Sequence, residues 1–279
     1  MPRRLGLESG MRDETLVRRA FLEGLEKGES VRILPELNVI KLGGHGTIDY
    51  GKEVVLPLVD EIGEASRKNQ LLVVTGGGAR VRHVLDLGVD LGMPTGLLAE
   101  LAGKVSEQNA IMLAILFSKY NGVRIKREDL LDLPMLFHLG VLPVIHGTPP
   151  YGLYEHPPRI GRIPPHRTDT GALLMADVLG AKNCILVKDV TGLYAEDPRI
   201  HPDAELIPEI TAEELLQMNL EDLVLERAAV ELLQFAVNVK AIRIVDGLVN
   251  GNVTKALEGR NVGTVIRAKP LGDYKSIKP

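Results

Sequence analysis

The chain has 279 residues, 45% of them hydrophobic and 25% charged, with a formal net charge of −4, an ordinary globular composition with room for a sizeable core. That charge gives no general pull towards nucleic acid or an anionic membrane, and the absence of tryptophan with only four phenylalanines leaves few platforms for stacking bases. A single cysteine excludes an intrachain disulfide framework and suits a reducing cytoplasm.

Residues 1–30 carry Arg/Glu clusters with Leu16, Val17, Ala20, Phe21 and Leu25 at helical spacing, which predicts an N-terminal helical extension. It contains no apolar core of signal-peptide type, and no later run is long enough to span a bilayer. The chain therefore reads as cytoplasmic. The segment Leu37-Asn38-Val39-Ile40-Lys41-Leu42 predicts a strand buried on both faces, ended by Gly43-Gly44-His45-Gly46. Glycine at a strand end admits close ligand approach, and Lys41 adds a point charge, so this is a candidate phosphate cradle. It is not a Walker loop, because the lysine precedes the glycines and no Gly-Lys-Ser/Thr follows.

A helix over about 52–68 carries Val54, Val55, Leu58, Val59 and Ile62 on one stripe. The next strand, Leu71 to Thr75, runs into Gly76-Gly77-Gly78-Ala79-Arg80. Two strands that each end in a glycine turn opening a helix predict alternating β/α order and a mainly parallel sheet. Ligands of such sheets sit beyond the carboxyl ends of the strands.

Ala99 to Lys119 predicts a long apolar helix, and Val141 to Ile145 another short buried strand. The tract His146 to Arg162 is interrupted too often by Pro and Gly to be a helix or a central strand. A loop of that length in a compact domain is usually functional. His138, His146, His156 and His166 fall in or beside it, four of the seven histidines in the chain. Imidazoles ligate metals and, when protonated, donate hydrogen bonds to oxyanions. Four unrelated polar or surface histidines are the alternative reading.

Ile163-Pro164-Pro165 predicts a stiff approach to a helix opening at Thr168-Asp169-Thr170-Gly171. Thr168 or Asp169 is expected to cap its first turn, and the helix end offers a place for an anion, beside which His166 and Arg167 arrive. Asn183 to Val187 predicts a further strand, with Cys184 as a small buried thiol. Lys188-Asp189 at its carboxyl end, then Gly192 and Tyr194, suit the phosphates, ribose and base of a nucleotide, with a plain turn as the alternative. Helices from about Thr211 to Met218, with Glu214 at capping-box spacing, and from Leu225 to Val237 follow. Strands Ala241 to Val245 and Gly263 to Ile266 close the sheet, Asp246-Gly247 and Asn250-Gly251 supplying turn chemistry between them. No linker or repeat divides the chain, so one domain is expected over 31–270, between the extension 1–30 and a C-terminal tail, 271–279.

Four motifs in order, Lys41-Leu42-Gly43-Gly44, Thr75-Gly76-Gly77-Gly78, Thr168-Asp169-Thr170-Gly171-Ala172 and Gly192-Leu193-Tyr194-Ala195-Glu196-Asp197-Pro198, resemble the motif set of the amino acid kinase superfamily, which includes uridylate, aspartate, acetylglutamate and carbamate kinases. The resemblance spans most of the chain, from about Leu37 to Ile266. It implies a three-layer α/β/α sandwich around a mainly parallel sheet, the carbamate kinase-like fold, with ATP and Mg2+ at the carboxyl ends of the strands. On that resemblance Lys41, Lys188 and Asp169 form the expected catalytic set. Lys41, Gly43, Gly44, Gly76, Gly77, Gly78, Asp189, Gly192, Tyr194, Asp197 and Pro198 form the expected nucleotide-binding set.

Within the superfamily, Arg80-Val81-Arg82-His83, Pro149-Pro150-Tyr151, Ile163-Pro164-Pro165-His166-Arg167-Thr168-Asp169 and Val245-Asp246-Gly247-Leu248-Val249 are similar to the molybdenum/tungsten storage family. Membership implies a hexameric cage of kinase-fold subunits, of one type or two, loaded with molybdate or tungstate as polyoxometalate clusters under ATP and magnesium. His138 and His156 match histidine-bearing stretches of that family and are expected to face the clusters, while His166, the third expected metal-site histidine, and Arg167 either contact oxyanions or brace the Pro-rich loop. Molybdate is a tetrahedral dianion like phosphate, so a phosphate-handling fold needs little change to take it. Two departures concern the metal: Thr191 stands where these kinases carry Asp before the glycine, and Val190 where one storage subunit has a carboxylate. Fewer hard oxygen ligands weaken magnesium coordination. The sequence thus supports an ATP-binding oxyanion-storage subunit, with a uridylate kinase transferring the γ-phosphoryl group of ATP as the alternative and a non-catalytic nucleotide-binding subunit as the third reading.

Overall fold

Side chains one apart on a strand face opposite ways, and here both directions are apolar. In β1 (Leu37–Leu42), Leu37 and Val39 enter one core while Ile40 and Leu42 enter another. The computed structural model describes residues 31–269 except 197, 199, 202, 221 and 222; the helical extension expected over 1–30 and the tail 271–279 lie outside the described residues. After β1 the elements are α1 (Lys52–Ser66), β2 (Gln70–Thr75), α2 (Ala79–Asp90), α3 (Thr95–Leu116), β3 (Gly122–Arg124), α4 (Leu133–His138), β4 (Leu142–His146), α5 (Thr168–Leu179) and β5 (Asn183–Lys188). Then come β6 (Leu193–Tyr194), β7 (Leu206–Ile207), β8 (Glu209–Thr211), α6 (Ala212–Gln217), α7 (Arg227–Leu233), β9 (Ala241–Asp246), α8 (Asn252–Leu257) and β10 (Gly263–Arg267).

Eight strands form one sheet in the order β3-β4-β2-β1-β5-β9-β10-β8, and β6 pairs with β7 separately. Within the large sheet every neighbouring pair is parallel except β9 with β10. Leu72, Val74, Cys184, Leu186, Ile242 and Ile244 share a core with Ala172, Leu173 and Ala176 of α5 and Val230 and Leu233 of α7. Leu71, Val73, Ile185, Val187 and Val245 share the other with Leu58 and Ile62 of α1, Leu113 of α3 and Val253 of α8. The expected three-layer α/β/α architecture is therefore present, with each inner strand doubly buried as a parallel sheet requires.

Register fixes where the loops emerge. Leu42 stands opposite both Thr75 and Val187, so Gly43, Gly76 and Lys188 leave the sheet side by side at the carboxyl ends of its three central strands.

The structure differs from the sequence reading in the short elements. α3 starts at Thr95 and stops at Leu116, after which Phe117–Tyr120 tightens into a 3-10 turn. The stretch read as a plain turn before the last strand contains α8, entered through Gly251 at φ +87°, a left-handed conformation glycine adopts at no steric cost. β3, β6, β7 and β8 have two or three residues each, too few to display a period.

Candidate functional site

Lys41 and Lys188 occupy strand positions that alternate with Leu42 and Val187, which places both ammonium groups on the α5 side of the sheet. Asp169, in the first turn of α5, lies between them, with Oδ1 2.8 Å from Lys41 Nζ and Oδ2 2.8 Å from Lys188 Nζ. Lys41 is 5% exposed and Asp169 3%. Charges so far from water persist only when paired. Burial alone would push the Asp169 carboxyl up, but Lys188 and then Lys41 outweigh it and hold it well below the usual carboxylate range. Burial pulls the Lys188 ammonium down, with Asp169 opposing and Lys41 adding to the shift. With both lysines protonated the trio keeps one net positive charge beside the glycine loops, an attraction for an anion that no surface lysine matches in strength.

The cap of α5 is not the one expected from Thr168 or Asp169. Arg167 is the N-cap residue and supplies no side-chain bond. The carboxylate of Glu226, just before α7, instead accepts from the amides of Arg167 (3.0 Å), Asp169 (2.9 Å) and Thr170 (3.0 Å) and from the Thr170 hydroxyl (2.8 Å). The Glu226 amide returns a bond to Asp169 Oδ2 at 3.3 Å. The anion position at this helix end is thus filled from within the chain, which releases Asp169 to hold the lysines. An external oxyanion is left the glycine loops and the lysine pair.

Those loops are shaped for close backbone approach. A Cβ on Gly44 would overlap the Gly78 amide, and one on Gly76 would stand 3.2 Å from Lys41 Nζ. The amides of Gly44, Gly77 and Gly78 make no hydrogen bond among the described residues, which leaves a group of donors beside Lys41, as phosphate oxygens require. The loops are braced from behind. Asn109 Nδ2 donates to the Gly76 carbonyl at 2.6 Å, and Thr75 and Ser106 exchange hydroxyl-to-carbonyl bonds of 2.8 and 2.7 Å. Asp49 accepts from the Ala79 amide at 2.7 Å and so caps α2. A triphosphate therefore fits this crevice by its donor set.

Asp189 accepts the Tyr50 hydroxyl proton at 3.1 Å, and that bond, with the charges of Asp189 and Asp246, raises the Tyr50 pKa. Asp246 is opposite Lys188 in register. Each carboxylate offers hard oxygens of the kind Mg2+ requires, at the strand ends beside Val190 and Thr191. Gly192 is buried, with Tyr194 and Pro198 partly exposed beyond it; Asp197 lies outside the described residues.

The Pro-rich tract runs as a loop over the same end of the sheet, with one 3-10 turn at Gly152–Tyr154. It brings His156 and His166 together, ring centroids 5.3 Å apart at 78°, and adds Glu155, whose side chain is 1% exposed. His166 Nδ1 is 3.1 Å and His156 Nε2 4.0 Å from Glu155 Oε1, and Tyr151 meets the His166 ring edge-on at 5.1 Å. His138 is elsewhere. It ends α4 and lines a cavity of about 760 Å³ with Ser66, Gln70 and Leu142, at the amino ends of β2 and β4, the opposite pole from the glycine loops. His146 ends β4 with Nδ1 buried and unpartnered among the described residues, and burial, partly opposed by Glu107, pushes its pKa down. Glu155, Glu226 and Asp49 escaped the sequence reading as site residues, and Asp246 figured in it only within a turn and a family stretch. Only Glu155 left a signal there, as an acidic residue next to a histidine in a proline-rich tract.

The sequence model of the amino acid kinase family matches residues 36–246. The chain is 43% identical over 237 residues to molybdenum storage protein subunit beta from Azotobacter vinelandii, covering 85% of this chain and 88% of that protein. It is 31% identical to uridylate kinase from Thermofilum pendens, over 83% of this chain and 98% of the relative. Among solved structures, uridylate kinase from Archaeoglobus fulgidus superposes with a TM-score of 0.64 at 22% identity, covering 82% of this chain and 99% of the other. The kinase from Ureaplasma parvum gives 0.64 at 20%, and both likenesses concern the fold alone.

Proposed function

Because this chain belongs to the amino acid kinase family and has a molybdenum storage subunit among its relatives, we propose that it is an oxyanion-storage subunit that binds ATP and accumulates molybdate or tungstate. The observation that carries this reading is the 43% identity to the Azotobacter vinelandii storage subunit across 88% of that subunit's length. The site is chemically suited to the task. Lys41, Lys188 and the amides of Gly44, Gly77 and Gly78 would receive the nucleotide's phosphates; Asp189 and Asp246 would hold Mg2+. Bound ATP would supply the driving force for uptake. Asp169 holds both lysines in place, and the loop carrying His156 and His166 would lie beside the oxyanion cargo, for which polyoxometalate clusters within a hexamer are the proposed stored form. No helix of the described residues is long and apolar enough to cross a membrane; a cytoplasmic location accords with the single buried thiol.

The test is expression with molybdate and ATP, followed by metal analysis by mass spectrometry on the species separated by size. Many molybdenum atoms per subunit in a hexamer are expected. A ratio near zero in an assembled hexamer, with and without a second subunit type, would overturn the reading.

A uridylate kinase is the second reading, favoured by the Thermofilum pendens relative and by the lysine pair, since phosphoryl transfer runs largely on positioning and electrostatics. A coupled assay with uridylate decides it: steady turnover would make storage secondary.

A further inference from the structure

The Glu155 carboxylate is buried, and among the described residues its ion-pair partners are two imidazoles, with no lysine or arginine. A carboxylate withdrawn from water needs compensating positive charge. One nitrogen each of His156 and His166 and one oxygen of Glu155 lie within 4.8 Å of one another. The geometry points to a binding site for a single divalent transition-metal ion, of the zinc and cobalt class, held by Glu155, His156 and His166.

The two rings are set for this role. His156 Nδ1 is 3.0 Å from the Pro157 carbonyl; only a protonated Nδ1 bonds there, so in the neutral ring the lone pair is on Nε2, which is 4.0 Å from Glu155. That separation is too long for a hydrogen bond. Ligating histidines commonly give their second N–H to a carbonyl in this way. With metal–ligand bonds of about 2.0–2.2 Å, neighbouring ligand atoms stand roughly 3–3.6 Å apart. The observed 3.1 and 4.0 Å bracket that range and all three ligand atoms lie within 4.8 Å of one another, so closure needs a side-chain adjustment and no rearrangement of the loop. Two imidazoles with one carboxylate select a borderline cation over magnesium or calcium. Three protein ligands leave a position open on the side where His156 is exposed, for water or an oxyanion oxygen. The inference does not rest on storage: the ion is a resident of the loop whatever the crevice binds.

The experiment is a Co2+ titration of the full-length, tag-free protein, stripped with chelator and free of nucleotide and molybdate, followed by the visible d–d bands. One Co2+ per chain is expected, displaced by Zn2+. Glu155→Gln, His156→Ala and His166→Ala should each weaken binding at least tenfold, while His83→Ala, an exposed histidine on α2, should not. The His156 side chain is 65% exposed, so its variant folds and carries the test if Glu155→Gln does not. Absence of Co2+ bands, or an isotherm unchanged in His156→Ala, would overturn the site and leave storage standing. Normal Co2+ binding in a protein that takes up no molybdenum would do the reverse.

Discussion

Asp169 Oδ1 lies 2.8 Å from Lys41 Nζ, so a buried ion pair ties the central strand of the sheet to the helix packed over it. With Lys188 on the other oxygen, one carboxylate bridges two strand ends and leaves one positive charge over. Asp169→Asn would leave two ammonium groups facing each other out of water. A loss of about 3–5 kcal/mol in urea unfolding is expected. The pH dependence follows from the depressed folded pKa of Asp169. Its contribution is present above the unfolded carboxyl pKa of about 3.9 and is lost as pH falls from there towards the lower folded value. Unfolding midpoints measured from about pH 5 downwards should therefore drop less steeply in the variant than in the parent.

Glu226 takes four hydrogen bonds at the start of α5. Glu226→Ala leaves those donors buried and unpaired, at about 1–3 kcal/mol per group before relaxation or water entry. Glu226→Gln keeps an acceptor and loses the charge. Thermal unfolding should rank parent above Gln above Ala, and a Gln variant as unstable as Ala would contradict the cap.

Gly44 is pressed against the Gly78 amide. Gly44→Ala forces the two loops apart, and ATP affinity by calorimetry should fall at least about tenfold, which is 1.4 kcal/mol. Gly140→Ala, at φ +68° and remote from the glycine loops, where a Cβ meets nothing within 4 Å, should cost some stability through backbone strain but leave the affinity unchanged.

Burial lowers the Lys188 pKa, so its positive charge is lost at a lower pH than that of a solvated lysine, about 10.4. Anion affinity that depends on that charge is full below the folded pKa and declines as pH rises through it. A phosphate or ATP titration repeated upwards from neutrality should weaken before ordinary lysines titrate, and Lys188→Met should remove that limb.

Cys184 is enclosed in β5, and burial, with the charge of Asp169 adding, pushes its thiol up to about 12. The thiolate is the reactive species. Iodoacetamide at mildly alkaline pH should leave the native chain unlabelled and modify it fully in denaturant; labelling of the folded protein would contradict this burial.

The parts of the architecture readable beforehand were those with a repeating apolar pattern. β1 was fixed to the residue because six consecutive buried positions stand between polar turns, and α1 because Leu58, Val59 and Ile62 recur at helical spacing. The paired glycine loops and the two lysines were legible for the same reason, as exceptions at the ends of apolar runs. Glu226 was not, since a carboxylate bonding backbone amides across the fold leaves no local pattern and Thr168-Asp169 offered a nearer cap. His138 shows the complementary difficulty: it is close in sequence to the other loop histidines, yet the strand β4 carries the chain across the sheet between them.

The bond from Glu226 to the opening of α5 also has a temporal side. The first turn of the helix that aims Asp169 at the lysines takes its acceptor from a residue 57 positions further along the chain, so during synthesis that turn stays uncapped until Glu226 has been made. Lys41, Lys188 and Asp169 are all synthesised earlier, but the turn that carries Asp169 is braced only once that residue is in place. A chain arrested or cleaved ahead of it would carry every charged member of the crevice without the clasp that braces them, and is expected to hold anions less tightly than the whole chain.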